Sequence, residues 1–237
     1  MRRISISVDV EQDCPPFLES TFGLEEGMPK LLDIFRDEGV KATFFATGKS
    51  AELFPNIIEM ILEDGHELGC HGYSHERFDH LTLPEARTVI SMSKKVLDKF
   101  GGDVESFRAP NLKFPEKYLM LLDEEGFRID SSIASYKFPF YREPITTTMI
   151  RRIPVSVTSS FLRLPLYLNL PILCRMNRPV LFVHPWEFID MRKFPVRFDC
   201  KFNTGVIALR NLRAIISYFK SKSYRFLTIK EMALSTC

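Results

Sequence analysis

The sequence predicts an α/β fold: a parallel sheet, closed or open, with its helices outside. Two observations carry this. Strand-like apolar runs and amphipathic helical stretches alternate along most of the 237 residues, as expected when helices cover a parallel sheet. Residues able to do chemistry (Asp9, His71, Arg108, Asp130 and His184) recur at or just after strand ends, where such folds carry their sites. With 45% apolar and 26% charged residues, the chain suits one globular domain of barrel size or two small ones. A net charge of +2 gives no case for a nucleic-acid partner. No uninterrupted apolar run approaches the ~18 residues that would suggest a membrane span.

Ile4 to Val10 alternates at period two and reads as a first strand, not as a signal-peptide core. Gly27 to Glu38 carries a stripe of Leu31, Leu32, Ile34 and Phe35 and is stopped by Gly39, so a helix is expected. Lys41 to Ala46 is a second strand, Pro55 to Leu62 a helix, and His66 to Gly69 a third strand. Pro84 to Phe100 is a long amphipathic helix with Pro at its start. A fourth strand ends near Phe107-Arg108, a helix runs from Pro115 to Glu125, and a fifth strand covers Phe127 to Ser131. Residues 136 to 178 are broken by Pro139, Pro144, Pro154, Pro165 and Pro171 and read as irregular loops with one or two short strands near Ile150 to Val157. Pro179 to His184 is an apolar strand, Asn203 to Ser221 a helix, and Arg225 to Thr228 a last strand before a terminal helix. The five scattered Cys (14, 70, 174, 200, 237) read as reduced thiols, and with the missing signal core they imply a cytoplasmic protein.

The chemistry centres on Gly69 to His75, with His71 and His75 four apart. If the stretch forms one helical turn, both imidazoles share a face and reach one ion. The strand-1 end supplies Asp9, Glu11 and Asp13, which point to one side of an extended chain. An acidic loop in water is the alternative. A carboxylate left free of the ion can take a proton from water, Arg108 can pair with it, and His184 can donate a proton near neutral pH. Trp186 packs or walls a pocket beside that acid. His66, at a strand start, and His80 read as structural or solvated. Tyr136, Phe138, Phe140 and Tyr141 form a sugar-stacking wall or pack locally. Arg151, Arg152, Arg163 and Arg175 meet a phosphate or lipid head group, or are a solvated basic loop.

Ser7-Val8-Asp9-Val10-Glu11, Gly65 to His75, Phe107-Arg108-Ala109-Pro110, Ile129-Asp130-Ser131-Ser132 and Val180 to His184 resemble, in order, the five motifs of the NodB-like polysaccharide deacetylases. The resemblance spans nearly the whole chain and implies one domain over residues 1–237, a distorted (β/α) barrel of about seven parallel strands. Residues 136–178 would then form a substrate-side insertion. It also implies metal-dependent removal of an N-acetyl group. Asp9 would be the base, His184 the acid and Arg108 the residue orienting Asp9. His71 and His75 would bind one divalent ion, usually zinc, with cobalt or another ion as alternatives. The first motif departs from the commoner adjacent Asp pair. Its carboxylates stand two apart, as in a branch with cytoplasmic peptidoglycan-deacetylase-like and allantoinase-like members. Glu11 is therefore assigned as third ligand, with Asp13 as fallback. Asp130, Phe182, Trp186 and a backbone N–H near Asn111 are assigned to the substrate side. Phe182 would narrow the floor under an acetyl methyl. The partner expected is an N-acetylated sugar or a related small amide. A hydrolase of a non-sugar amide or cyclic ureide, and a non-catalytic carbohydrate-binding relic, are the alternatives on the same scaffold.

Overall fold

A computed structural model describes residues 2–101, 103–137 and 148–235. Strands β1 (Arg3–Val10), β2 (Thr43–Ala46), β3 (Glu67–Cys70), β4 (Ser106–Phe107), β5 (Ile129–Asp130), β6 (Arg151–Arg152) and β7 (Val180–Val183) run parallel. Their order is β6-β5-β4-β3-β2-β1-β7, a curled half-barrel. A short β8 (Arg225–Phe226) pairs with Arg3 and Ile4 at the start of β1. The helices are α1 (Met28–Glu38), α2 (Gly48–Leu53), α3 (Pro55–Glu63), α4 (Leu83–Leu97), α5 (Leu119–Glu124), α6 (Ser159–Leu162), α7 (Leu166–Leu173), α8 (Phe198–Lys201), α9 (Val206–Ser221) and α10 (Ile229–Leu234).

The alternation in β1 explains the layering. Ile4, Ile6, Val8 and Val10 join the large core under the helices, with Leu31, Leu32 and Phe35 of α1 and Ile215, Ile216 and Phe219 of α9. Ser5, Ser7 and Asp9 take the opposite, concave face. Small serines there leave room for larger neighbours: Ser7 is in register with Thr43 on one side and Phe182 on the other, and Asp9 with Phe45. The far end of the half-barrel is stopped by α10. The Ile229 N–H donates to Thr43 Oγ1 at 2.7 Å and the Lys230 N–H to Glu67 Oε2 at 2.9 Å. This leaves the C-terminal strand ends as the open face.

Three expectations need correction. First, Gly72 to Arg77 form no helical turn. Gly72 and His75 have φ of 76° and 68°, and the loop is pinned by the N–H groups of Tyr73 and Ser74 on the Glu76 carboxylate. Second, residues 136–178 are not wholly irregular. Pro165 caps the start of α7 rather than breaking it, and Pro171 is accommodated inside that short helix. The short strands expected near Ile150 to Val157 are present as β6 and a bridge between Ala134 and Val155. Third, the thiols are not all reduced: Cys14 and Cys200 form a disulfide, while Cys70 and Cys174 are free. A separation of 186 residues hides this pair from any reading of Cys spacing. The compartment argument therefore loses two of its five thiols.

Candidate active site

Each site residue follows from where its strand stops. Asp9 is the last inward-facing residue of β1, and Glu11 lies one step past the strand end. His71 follows β3, Arg108 follows β4, Asp130 closes β5 and His184 follows β7. Parallel strands bring these ends to one side, around a cavity of about 300 Å3. Asp9, Glu11, His71, His75, Asn111, Phe182, His184 and Trp186 line it, so eight of the ten assigned residues meet there.

Glu11, His71 and His75 each offer one donor atom, all within 4.8 Å of one another. Glu11 Oε2 lies 3.2 Å from His71 Nε2 and 2.9 Å from His75 Nε2. Tetrahedral zinc with bonds near 2.0–2.2 Å needs donors about 3.3 Å apart, so the set fits a small divalent ion with little adjustment. The tautomer of His71 fits as well. Its Nδ1 lies 2.8 Å from the Arg108 carbonyl, which only accepts, so Nδ1 holds the proton and Nε2 faces Glu11. The Trp186 indole N–H reaches Glu11 Oε1 at 3.5 Å. Burial pushes the Glu11 carboxyl up, but His75, His71 and His184 outweigh it and hold the group well below the ordinary carboxylate range. The same carboxylate raises His75 against the opposing effect of burial.

Asp13, the fallback ligand, is elsewhere. It is fully buried and accepts hydrogen bonds from Ser20 Oγ and from the N–H groups of Phe22 and Gly23. Asp13 escapes the period-two pattern because β1 ends at Val10 and the chain bends at Gln12 and Asp13. Gly23 itself is required: a Cβ there would sit 2.6 Å from Trp186 Cα.

Arg108 is wholly buried, and its Nη1 donates to Asp9 Oδ1 at 2.7 Å. Nη2 and Nε of Arg108 are held by the hydroxyl and carbonyl of Ser131, and the guanidinium lies 4.2 Å from the Phe45 ring centre. The second Asp9 oxygen is left facing the cavity, 3.9 Å from His184 Nε2. Glu11 Oε1 lies 3.8 Å from the same nitrogen. These gaps are too long for direct hydrogen bonds and suit a water or a reacting group between them.

His184 is fixed by Glu187, which had no role in the sequence reading, and through it by Arg163, which was read as a head-group contact or loop cation. Its Nδ1 donates to Glu187 Oε1 at 2.7 Å, and Arg163 Nε pairs with Glu187 Oε2 at 2.8 Å. Arg163 and Glu187 are buried, at 2% and 1% exposure. The His184 ring stacks on Trp186 at 4.8 Å. Burial pulls His184 down, but Glu187, Glu11 and Asp9 outweigh it and raise its pKa to about 9. The available signal was the spacing His184-Pro185-Trp186-Glu187, a helix-start pattern in which the residue three places on reaches back to the first. Here the carboxylate accepts from both the His184 backbone N–H and its ring.

Asp130 does not line the cavity. Its carboxylate accepts from the Ser132 N–H at 3.0 Å and from Arg152 Nε at 3.0 Å, so its assignment to the substrate side is amended to holding the β5–β6 edge. Of the arginines read as head-group contacts, Arg163 is committed to Glu187, Arg152 to Asp130 and Glu116, and Arg151 to the Ala233 carbonyl. His66 accepts from the Ala42 N–H and packs on Phe35 and Phe44, with burial lowering it to about 4. Tyr136 lines the cavity, while Phe138, Phe140 and Tyr141 lie outside the described residues.

Residues 12–129 match the family model for polysaccharide deacetylases. That stretch contains His71, His75 and Arg108, and Asp9, Glu11 and His184 flank it. A peptidoglycan-N-acetylglucosamine deacetylase of Bacillus cereus is 37% identical over 105 residues, 44% of this chain and 38% of the relative. A peptidoglycan deacetylase of Helicobacter pylori is 34% identical over 122 residues, 51% of this chain and 42% of the relative. The matches thus span about two fifths of the length of these relatives. Among solved structures, a peptidoglycan N-acetylglucosamine deacetylase superposes with a TM-score of 0.68 at 21% identity, over 99% of this chain and 89% of that one. A CE4 family pseudoenzyme from Bacillus anthracis gives 0.68 at 17% identity, over 98% and 66%. At these identities the structural likeness speaks for the fold.

Proposed function

The chain belongs to the polysaccharide deacetylase family, and on that premise we propose that it hydrolyses the N-acetyl group of an amino-sugar substrate with the help of one divalent cation. The observation that carries the reading is convergence. The Glu11–His71–His75 donor set, the Asp9–Arg108 pair and His184 come from four strand ends and face one cavity.

Glu11, His71 and His75 would hold the ion, zinc first by donor type. When bound, it would act as a Lewis acid toward the acyl carbonyl and acidify a water. The protein's own groups divide the proton traffic. Arg108 fixes one oxygen of Asp9, so the other is free to act as the base that takes the proton of the attacking water. The C–O bond forms, and a backbone N–H near Asn111, a residue that lines the cavity, would support the oxyanion. As the C–N bond breaks, His184 passes its Nε2 proton to the departing amine. Glu187 holds Nδ1 so that Nε2 faces the reaction. Phe182 and Trp186 wall the space for a small acyl group.

Acetate release from an N-acetylglucosamine oligomer, measured for the wild type and for Asp9→Asn in zinc-loaded protein, tests this. A fall of about a hundredfold or more is expected. Undiminished release by Asp9→Asn would overturn the assignment of the base.

A further inference from the structure

We propose that an apolar groove beside the catalytic cavity is a subsite for an alkyl chain carried by the substrate, so that the amino sugar acted on is the head of an amphiphile. The groove encloses about 460 Å3 and is walled by Phe161, Leu164, Phe198 and Phe202. It shares Thr158, Ser160 and Asp199 with the catalytic cavity, so a group leaving the cavity on this side enters it directly.

The walls are apolar where they meet water. Phe198 is 77% exposed and stands 5.7 Å from the Phe202 ring. Following Leu164 in the chain, α7 exposes Tyr167, Leu168 and Ile172 at 76%, 45% and 44%. Contiguous apolar surface rimmed by polar residues marks a binding groove. Past the Thr158, Ser160 and Asp199 rim, a second sugar would set its hydroxyls against Phe161, Leu164, Phe198 and Phe202, whereas a flexible chain loses nothing polar and covers the phenyl rings.

The groove wall is also built into the site. Arg163 donates to the carbonyls of Asp199 and Phe202, and Cys200 of α8 is joined to Cys14. The same Arg163 pairs with Glu187, which holds His184. A chain seated on α8 therefore rests on the element whose backbone braces the proton donor.

The inference rests on the deacetylase reading for the sugar head, but the groove can be tested apart from it. Zinc-loaded enzyme is assayed with N-acetylglucosaminides bearing methyl to octyl aglycones. The expected kcat/KM rises about threefold per methylene over the part of the chain that the groove covers, and Phe198→Asp flattens that rise. In parallel, octyl glucoside, which has no acetyl group, is titrated calorimetrically below its micelle concentration. Saturable binding is expected, weakened tenfold or more by Phe198→Asp. Binding without acetate release from any glycoside would support the groove and sink the deacetylase reading instead. A rate independent of chain length, or no octyl glucoside binding, overturns the proposal. So does a dimer that Phe198→Asp dissociates, which would give the groove to a second copy.

Discussion

Glu187 holds Nδ1 of His184 at 2.7 Å while its other oxygen pairs with Arg163 at 2.8 Å. The imidazole thus sits at the end of a buried chain of alternating charge, with Asp9 and Glu11 across the cavity. This arrangement favours the imidazolium, which raises the group to about 9. A donor that stays protonated through neutral pH suits a leaving amine.

The pH dependence of stability follows from that shift. The folded pKa of His184 is raised above its unfolded value of 6.5. Its stabilisation is therefore complete below about 6.5 and is lost as pH rises through about 9. In metal-free protein, the melting temperature should fall across this window, and His184→Gln should remove most of that fall. Thermal unfolding of both proteins at closely spaced pH values checks it. An unchanged slope in His184→Gln would show that other groups carry the dependence.

Arg108 and Asp9 form a buried pair, and removing one partner strands the other. Arg108→Met should cost about 3–5 kcal/mol of stability. Arg108→Lys keeps the charge but cannot at once reach Asp9 and the two Ser131 oxygens, so it should melt between the wild type and Arg108→Met. Acetate release by Arg108→Lys should fall at least tenfold, because Asp9 loses its fixed orientation. Denaturant unfolding together with the acetate assay separates the two effects. A fully active Arg108→Lys would mean that charge alone suffices.

The donor set predicts a metal response that can be read without catalysis. Zinc binding only the folded state should raise the melting temperature, by about 2.7 kcal/mol of stability at a hundredfold excess over its dissociation constant. Glu11→Gln should abolish this rise. Trp186→Phe, which removes the N–H near Glu11 Oε1, should weaken affinity by roughly tenfold, as loss of a supporting hydrogen bond does. Asp13→Asn should leave zinc affinity intact, because that carboxylate holds the Phe22–Gly23 turn. Zinc titrations followed by thermal unfolding decide among them.

What the sequence could show was what is local or periodic. Ile4 to Val10 announced β1 by alternation, Leu31 to Phe35 announced α1 by a stripe, and motif spacing placed Asp9, His71, Arg108 and His184 at strand ends. What it hid was set by contacts across the chain. The His71–His75 spacing matched a helix, yet positive φ at Gly72 and His75 delivers both rings from a loop. Arg163 read as a loop cation because its partner Glu187 lies 24 positions away, and α7 was masked by prolines that serve it as a cap and an insertion. Asp13 looked equivalent to Glu11, but the bend at Gln12 and Asp13 takes the two carboxylates apart.

The Cys14–Cys200 bond closes the longest of these loops and joins the segment after Glu11 to α8 at the cavity rim. In the chain-entropy view, a crosslink over so long a loop stabilises by up to about 5 kcal/mol. Reduction, or Cys14→Ser, should therefore lower the melting temperature. Asp13 ties the first-strand segment with three hydrogen bonds, from Ser20, Phe22 and Gly23, while α8 is braced by two from the single side chain of Arg163, so α8 is the side expected to loosen more. Hydrogen exchange of oxidised and reduced protein would show faster exchange at residues 198–202 than at residues 20–24. Equal change on both sides, or none on either, would refute this division of labour. Alkylation with mass analysis before and after reduction identifies the bonded pair in the same sample.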